Sequence, residues 1–441
     1  MPRLLAAVAL LACLALPLAA QVGTLPFDPF RGMDPDGRIP KVDPPQDIQH
    51  AERWRYVPEA RIKPGGIIER FMVTSFVSPV IFSEQDIGFG GGVALTDVDF
   101  RGQRFKEFAN ILLTYSEEGQ QAYRINWSRW LNHREAKEGG IWREERSRLY
   151  GRLGYEKTLT RRFYGFGSRT RADDETSYTE ELTGVGLGIR TSLPEAGSDF
   201  VARADLQFEH HGLSRGAVSR APSTDDVFLP TFQDGDGVSQ GWLLLSGGYD
   251  TRDSQAQPYE GSRLGASSNL AWGSGGEWGA IVGADAQQIV TMPALFHNGP
   301  RGREENPPTD VLAFGAFVQD TLGDLPFYSL PTLGGSHTLR GFIQNRFTDR
   351  AAAHATAEYR VNLIERGIAF TDTVRIERIG LGIFYDVGTV ANGLQDLHDA
   401  RWHDSYGFGF RLAFQREAVF RIEWGYGDEG VNFTLAFGNT F

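Results

Sequence analysis

Over most of this chain large apolar residues recur at every second position, with glycines or polar residues between them. Tyr406, Phe408, Phe410, Leu412 and Phe414 alternate with Gly407, Gly409, Arg411 and Ala413, and Phe420, Ile422, Trp424 and Tyr426 alternate with Arg421, Glu423 and Gly425. The same pattern sets Phe200, Ala202, Ala204, Leu206 and Phe208 against Val201, Arg203, Asp205, Gln207 and Glu209. It returns at Ala355, Ala357, Tyr359, Val361 and Leu363, set against Thr356, Glu358, Arg360 and Asn362. A period of two is the side-chain period of a β-strand. The polarity then selects the kind of sheet. A water-soluble barrel must turn its polar face outward. Here the polar residues and glycines face in and the large apolar residues face out, which matches a barrel in lipid with a wet lumen.

Alternating segments lie near 67–80, 86–97, 106–117, 120–131, 146–158, 176–192, 198–213, 239–252, 261–273, 276–291, 309–321, 351–365, 375–387, 404–415, 417–427 and 430–441. The expected fold is therefore all-β, a transmembrane antiparallel β-barrel of about 16 strands over residues 67–441, an even number as in bacterial barrels. Composition agrees. Beyond the first twenty residues no run of about 18 apolar residues offers a membrane helix. Aromatics make up 12% and glycine 53 of 441 residues, where a glycine share of about 7% is usual. The formal charge of -12 argues against a nucleic-acid partner.

The N-terminus differs. Arg3, the apolar run Leu4 to Leu18 and the small pair Ala19-Ala20 before Gln21 have the layout of a secretory signal over residues 1–20. Cys13, the single cysteine, lies inside it, so the mature chain is expected to lack thiols and disulfides. In residues 21–66, Pro26, Pro29, Pro35, Pro40, Pro44, Pro45, Pro58 and Pro64 are expected to break every element, leaving a periplasmic linker or tail with Trp54 and Tyr56 as its only bulky anchors.

Leu330 to Phe342 (Leu-Pro-Thr-Leu-Gly-Gly-Ser-His-Thr-Leu-Arg-Gly-Phe) has neither period. Gly334, Gly335 and Gly341 permit backbone angles closed to other residues, so it reads as a sharply folded loop presenting Arg340. In Gly380 to Gly388, Leu381, Ile383, Tyr385 and Val387 share one face, with the glycines and Asp386 on the other. Asp386 is the expected partner of Arg340. Leu339-Arg340-Gly341-Phe342 after a Leu-Gly-Gly, followed one strand later by Phe384-Tyr385-Asp386-Val387-Gly388, resembles the outer-membrane assembly and secretion translocon superfamily of BamA and TamA, the bacterial surface antigen family. The resemblance implies a sixth extracellular loop tucked into a sixteen-stranded barrel, its arginine meeting the aspartate of the thirteenth strand. The strand count places Arg340 after the eleventh strand and Asp386 on the thirteenth. The loop-lock residues are then Leu339, Arg340, Gly341, Phe342, Phe384, Asp386 and Gly388. One departure stands out: residues 21–66 do not fit the POTRA domains, the periplasmic substrate-receiving modules usual at this position.

With a periplasmic N-terminus, the connections 159–175, 214–238, 322–350 and 388–403 fall on the cell surface, while the long connections 132–145 and 292–308 are periplasmic exceptions. Asp250-Thr251-Arg252-Asp253 with Pro258-Tyr259-Glu260-Gly261 also resembles the family, as a periplasmic turn. The last strand places Val431, Phe433, Leu435, Phe437 and Phe441 on one face and ends on an aromatic. It resembles the signal read by the barrel-assembly machinery, with Phe433, Leu435, Phe437 and Phe441 as the signal residues.

Other motifs give way to this reading. Gly212-Leu213-Ser214-Arg215-Gly216 fits the lipase elbow, with His210 or His211 nearby, but a polar loop follows where the elbow needs a helix. Asp234-Gly235-Asp236-Gly237 lacks the later ligands of a calcium loop. The glycine runs 88–92 and 184–188 have no following helix to cradle a phosphate. No catalytic residue, cofactor or metal is expected, and the chain is not expected to be an enzyme. The resemblance implies help in inserting or translocating proteins or lipids at the outer membrane. The expected partners are outer-membrane lipid, the barrel-assembly machinery during biogenesis, and a separate POTRA-bearing or periplasmic protein. The alternatives are a passive pore and, behind it, a lipase-like surface enzyme.

Overall fold

The computed structural model describes residues 39, 41–58, 75–84, 86–97, 100, 106–137, 139–228, 237–274, 276–299, 304, 307–364, 376–414 and 418–440. Its strands are, in order, β1 (Trp54–Val57), β2 (Ser75–Glu84), β3 (Gly88–Asp97), β4 (Glu107–Ser116), β5 (Gln121–Trp130), β6 (His133–Glu135), β7 (Ile141–Glu144), β8 (Arg148–Phe163), β9 (Thr176–Leu193), β10 (Phe200–Arg215) and β11 (Val238–Asp250). There follow β12 (Gly261–Gly273), β13 (Trp278–Met292), β14 (Asp310–Gly323), β15 (Thr332–Leu333), β16 (Phe347–Thr348), β17 (Ala351–Ile364), β18 (Ile376–Ala391), β19 (His403–Phe414), β20 (Ala418–Gly427) and β21 (Gly430–Phe437). One sixteen-stranded sheet runs from β2 to β21, and β1, β6, β7, β15 and β16 lie outside it. Every strand in it pairs antiparallel with the next strand of that sheet, β5 with β8 and β14 with β17 across the smaller elements, and β19 meets β20 in the register Phe408↔Trp424 and Gly409↔Glu423.

Antiparallel registry carries the sequence alternation across strands, so each face of the sheet has one character. On the outward face of β19, Tyr406, Phe408 and Phe410 expose 60%, 40% and 41% of their surface, and the Phe408 and Trp424 rings stack 5.6 Å apart. The other face buries Asp205, Thr356, Glu358, Arg421 and Glu423.

The sheet curls about this polar face. The connection between β14 and β17 lies on it and touches strands far apart in sheet order. Phe327 packs on Phe163 of β8 and Tyr178 of β9, Ser329 Oγ donates to Gln240 of β11, and Arg340 donates to Asp386 of β18 and Glu423 of β20. At the rim, Arg346 binds Glu429 and the Thr170 carbonyl.

Two expectations change. The 132–145 connection is not a bare loop, since it contains the β6–β7 hairpin, and β1 adds to that hairpin as a third strand, Trp54↔Glu144 through Val57↔Ile141. The segment before Pro58 therefore does form elements. Its four residues, Trp54, Arg55, Tyr56 and Val57, meet an open hairpin edge, whose backbone groups need partners. Tyr56 and Trp142 are buried with rings 5.7 Å apart, and the Tyr56 hydroxyl donates to the Gly139 carbonyl at 2.8 Å. Arg53 binds Asp199 and Arg55 binds Ser254, fastening the small sheet to the β9–β10 and β11–β12 turns. The first strand of the large sheet covers Ser75–Glu84 where 67–80 was expected; residues 67–74, like the signal segment 1–20, are outside the described residues.

Candidate functional site

The Arg340 side chain is wholly buried, and three carboxylates surround it. Its Nε and backbone N–H both donate to Asp386 Oδ2 at 3.0 Å, and Nη2 donates to Oδ1 at 2.9 Å. Nη1 donates to Glu358 at 2.9 Å, Glu423 at 3.1 Å and the Thr440 hydroxyl at 3.2 Å, while Nη2 also reaches Thr356 at 3.2 Å. The Phe384 ring closes one side, its centroid 3.5 Å from the guanidinium carbon. Every donor of the planar fork has an acceptor, the condition under which a buried ion pair holds.

Sheet registry assembles these groups. Thr356 of β17 lies opposite Asp386, and Asp386 lies opposite Ser405 of β19. Glu358 lies opposite Phe384, and Glu423 opposite Gly409. Glu358 also accepts from Arg360 at 2.9 Å and Arg411 at 2.6 Å, and Glu423 accepts from Arg421 at 2.6 Å. The expectation of a single pair in a wet lumen is thus corrected to a buried network of four arginines and three carboxylates. Sequence reasoning had put Glu358, Arg360, Arg411, Arg421 and Glu423 on the inward face without bringing them to Arg340. Their inward polarity on neighbouring strands was the available signal; the register was not readable.

The loop is held by its own small core as well. Leu333, Leu339, Phe342 and Phe347 pack with Ala352 and Val390. Leu339, at φ 41°, occupies the left-handed region that leucine seldom adopts, and its N–H donates to His354 Nε2 at 3.3 Å. Gly341 is required for a different reason from the one expected. Its φ is not positive, but a Cβ there would lie 2.6 Å from the Tyr426 carbonyl carbon, and one on Gly425 would lie 2.3 Å from the Arg340 carbonyl oxygen. The loop backbone rests directly on β20. A Cβ on Gly388 would likewise meet Leu333 at 2.9 Å. Asn432 donates to the Arg340 and Phe342 carbonyls at 3.1 and 2.8 Å, fixing the loop to β21.

Among the signal residues, Phe433 and Leu435 are exposed on the outward face together with Val431. Phe437 ends β21, and Phe441 lies outside the described residues. Ser214 alternates onto the outward face of β10, whereas His211 is buried on the inward face against Glu180 at 2.9 Å. These two side chains are not brought together. Asp234 and Asp236 fall outside the described residues.

The sheet is an antiparallel meander with the Arg340 loop folded against its polar face, and comparison with known proteins gives the family of the chain. The family model described as the Omp85 superfamily domain matches residues 107–441, more than half of the chain. The chain belongs to the Omp85 superfamily. Among solved structures, CdiB from Escherichia coli is similar at TM-score 0.50 and 9% identity, covering 82% of this chain and 61% of that one. BamA from Haemophilus ducreyi lacking POTRA domains 1-3 gives 0.49 and 15%, covering 83% and 70%. CdiB from Acinetobacter baumannii gives 0.46 and 11%, covering 82% and 59%. The chain thus spans less than two thirds of either CdiB, and at 9% identity the Escherichia coli likeness concerns the fold alone. No curated protein matches the chain.

Proposed function

We propose that the curled sheet closes by pairing β21 with β2 into an outer-membrane barrel that assists insertion or translocation of proteins or lipids, with the Arg340 loop as its internal plug. The observation that carries this is the lock itself. A passive pore needs a wet axial path, whereas here a folded loop with an apolar core and a saturated ion network occupies the polar face. Superfamily membership supports the outer-membrane setting and the insertion or translocation role. The small three-stranded sheet lies on the periplasmic side, and the connections 164–175, 324–350 and 392–402 face the cell surface. Outer-membrane lipid, the assembly machinery during the chain's own biogenesis and a separate POTRA-bearing protein are the proposed partners; the chain is not proposed to be an enzyme.

The test is a client barrel refolded into liposomes with and without this protein. Faster client folding is the expected result; unchanged folding together with steady open-channel conductance contradicts it and favours the pore. The protein itself is expected to run faster on a denaturing gel unheated than boiled, because a closed barrel resists detergent, and recovery in the soluble periplasm excludes the barrel.

The seam is proposed as the weak point. Unpaired backbone groups in lipid cost several kcal/mol each, yet β21 has only 8 residues where β18 has 16. β2 also carries Pro79, which has no N–H and suits an edge strand. Pro79→Val is expected to raise the temperature at which the unheated gel mobility is lost and to slow client folding, since one ladder bond is worth about 1 kcal/mol. Equal values for both proteins contradict a Pro79-weakened seam. Deleting Phe441 is expected to lower assembled protein and raise its degradation products; unchanged assembly at native expression removes the signal role.

A further inference from the structure

We infer that a row of three arginines, at the start of β8 and across β9 and β10, binds a terminal phosphate, free or carried by a lipid. Arg148 of β8, Arg190 of β9 and Arg203 of β10 lie directly opposite one another, Arg148↔Arg190 and Arg190↔Arg203, so their side chains leave the same, polar face of the sheet. One carboxylate accompanies them. Asp205 accepts from Arg203 Nε at 2.8 Å and from the Tyr150 hydroxyl. Arg190 directs its donors to main-chain carbonyls, those of Arg146 at 2.9 Å and Glu145 at 3.1 Å. The Arg148 guanidinium hydrogen-bonds to none of the described residues; its Nε is buried without an acceptor, and its central carbon lies 5.4 Å from the Tyr150 ring centroid.

The neighbouring carboxylates are engaged elsewhere. Glu144 accepts from the Arg146 and Ser147 N–H groups at 3.0 and 2.9 Å, Glu145 pairs with Arg55 and Arg143, and Glu209, higher on the wall, pairs with Arg152. Like charges directly opposite one another destabilise a sheet, so three guanidinium groups with one carboxylate leave positive charge that a bound anion would offset. The row is also accessible. The Tyr150–Asp205 pair crosses Gly188 and bounds it on one side, while Arg203 keeps 46% of its side chain exposed and Arg148 and Arg190 are only half-buried. Guanidinium forks match phosphate oxygens bidentately, and a terminal phosphate carries about −1.5 to −2 charge near pH 7, more than a carboxylate brings. The barrel reading enters only in treating the polar face as a lumen; the row itself follows from sheet register.

Titration calorimetry in octyl glucoside micelles tests it, with inorganic phosphate, dihexanoyl phosphatidic acid below its micelle concentration, and acetate as probes. Each sample is first shown to shift mobility on heating, so failure of the barrel is distinguished from failure of the site. Phosphate is expected to bind saturably, one per chain, and acetate more weakly. Arg148→Gln, which removes a guanidinium that holds no described residue by a hydrogen bond, is expected to weaken binding roughly tenfold, and Arg148→Lys less, because the charge remains without the fork. Asp205→Asn is expected to tighten binding several-fold by removing the competing carboxylate, a gain that a purely structural row would not give, and it decides the matter if Arg148→Gln does not fold. Tighter binding of the phosphatidic acid than of inorganic phosphate makes a lipid the source; equal or weaker binding makes it free phosphate. Absence of saturable phosphate binding, acetate binding as tight as phosphate, or binding that Arg148→Gln does not weaken and Asp205→Asn does not tighten overturns the proposal.

Discussion

Arg340→Ala is expected to lower the unfolding free energy by about 3–5 kcal/mol, the usual cost of removing one partner from a buried, hydrogen-bonded ion network. The loss concentrates on Asp386. Glu358 keeps Arg360 and Arg411, and Glu423 keeps Arg421, but both Asp386 oxygens receive their arginine bonds from residue 340. Arg340→Lys is expected to fall between, because one ammonium cannot serve acceptors on three strands or replace the planar fork. Asp386→Asn is expected to cost less than Arg340→Ala, since the guanidinium then retains two carboxylates. The Arg340→Asp, Asp386→Arg exchange, which an isolated pair would tolerate, is expected to fail here: the new aspartate would face Glu358 and Glu423. Urea titration in micelles, followed by the fluorescence of the nine tryptophans, measures all four. Loss of less than about 1 kcal/mol for Arg340→Ala, the scale of an exposed pair, contradicts a buried network.

Tyr56→Ala is expected to release the N-terminal segment from the small sheet while the large one stays intact. Truncating a buried aromatic costs about 3–5 kcal/mol, and β1 is only four residues long, so the contacts of Arg53 with Asp199 and of Arg55 with Ser254 and Glu145 have a short strand to hold. Freeing β1 exposes the β7 edge with Ile141 and Trp142, so trypsin is expected to cut near Arg53, Arg134 and Arg143 faster than in the parent. Heat-dependent gel mobility should not change, because β1 lies outside the sixteen-stranded sheet. Unaltered cleavage, or loss of the folded band, contradicts a separately attached clasp.

Strand spans were largely legible because lipid-facing alternation is regular: the segment expected at 261–273 is β12, and that expected at 239–252 is Val238–Asp250. The Arg340–Asp386 contact was legible as a motif, since loop and strand each carry a recognisable residue pattern. Glu358 and Glu423 were not, because they reach Arg340 through the registers of β17 and β20, which no local pattern specifies. The docking of Trp54 to Val57 was missed for a similar reason. A four-residue strand next to prolines has little propensity of its own and depends on the open edge of β7, 84 or more residues away. Gly341 was singled out for its backbone angle, whereas the constraint the structure places on it is contact with β20.

Single-channel recording of wild type and Arg340→Ala in planar bilayers tests most directly whether the arginine holds the loop inside a closed barrel. Wild type should show low, intermittently blocked conductance. Arg340→Ala should insert with the same frequency but show larger, sustained openings, with protease access between about residues 324 and 350 from one side only, as the loop regains conformational freedom. Identical conductance in the two proteins, with the variant folded by gel mobility, would contradict the plug.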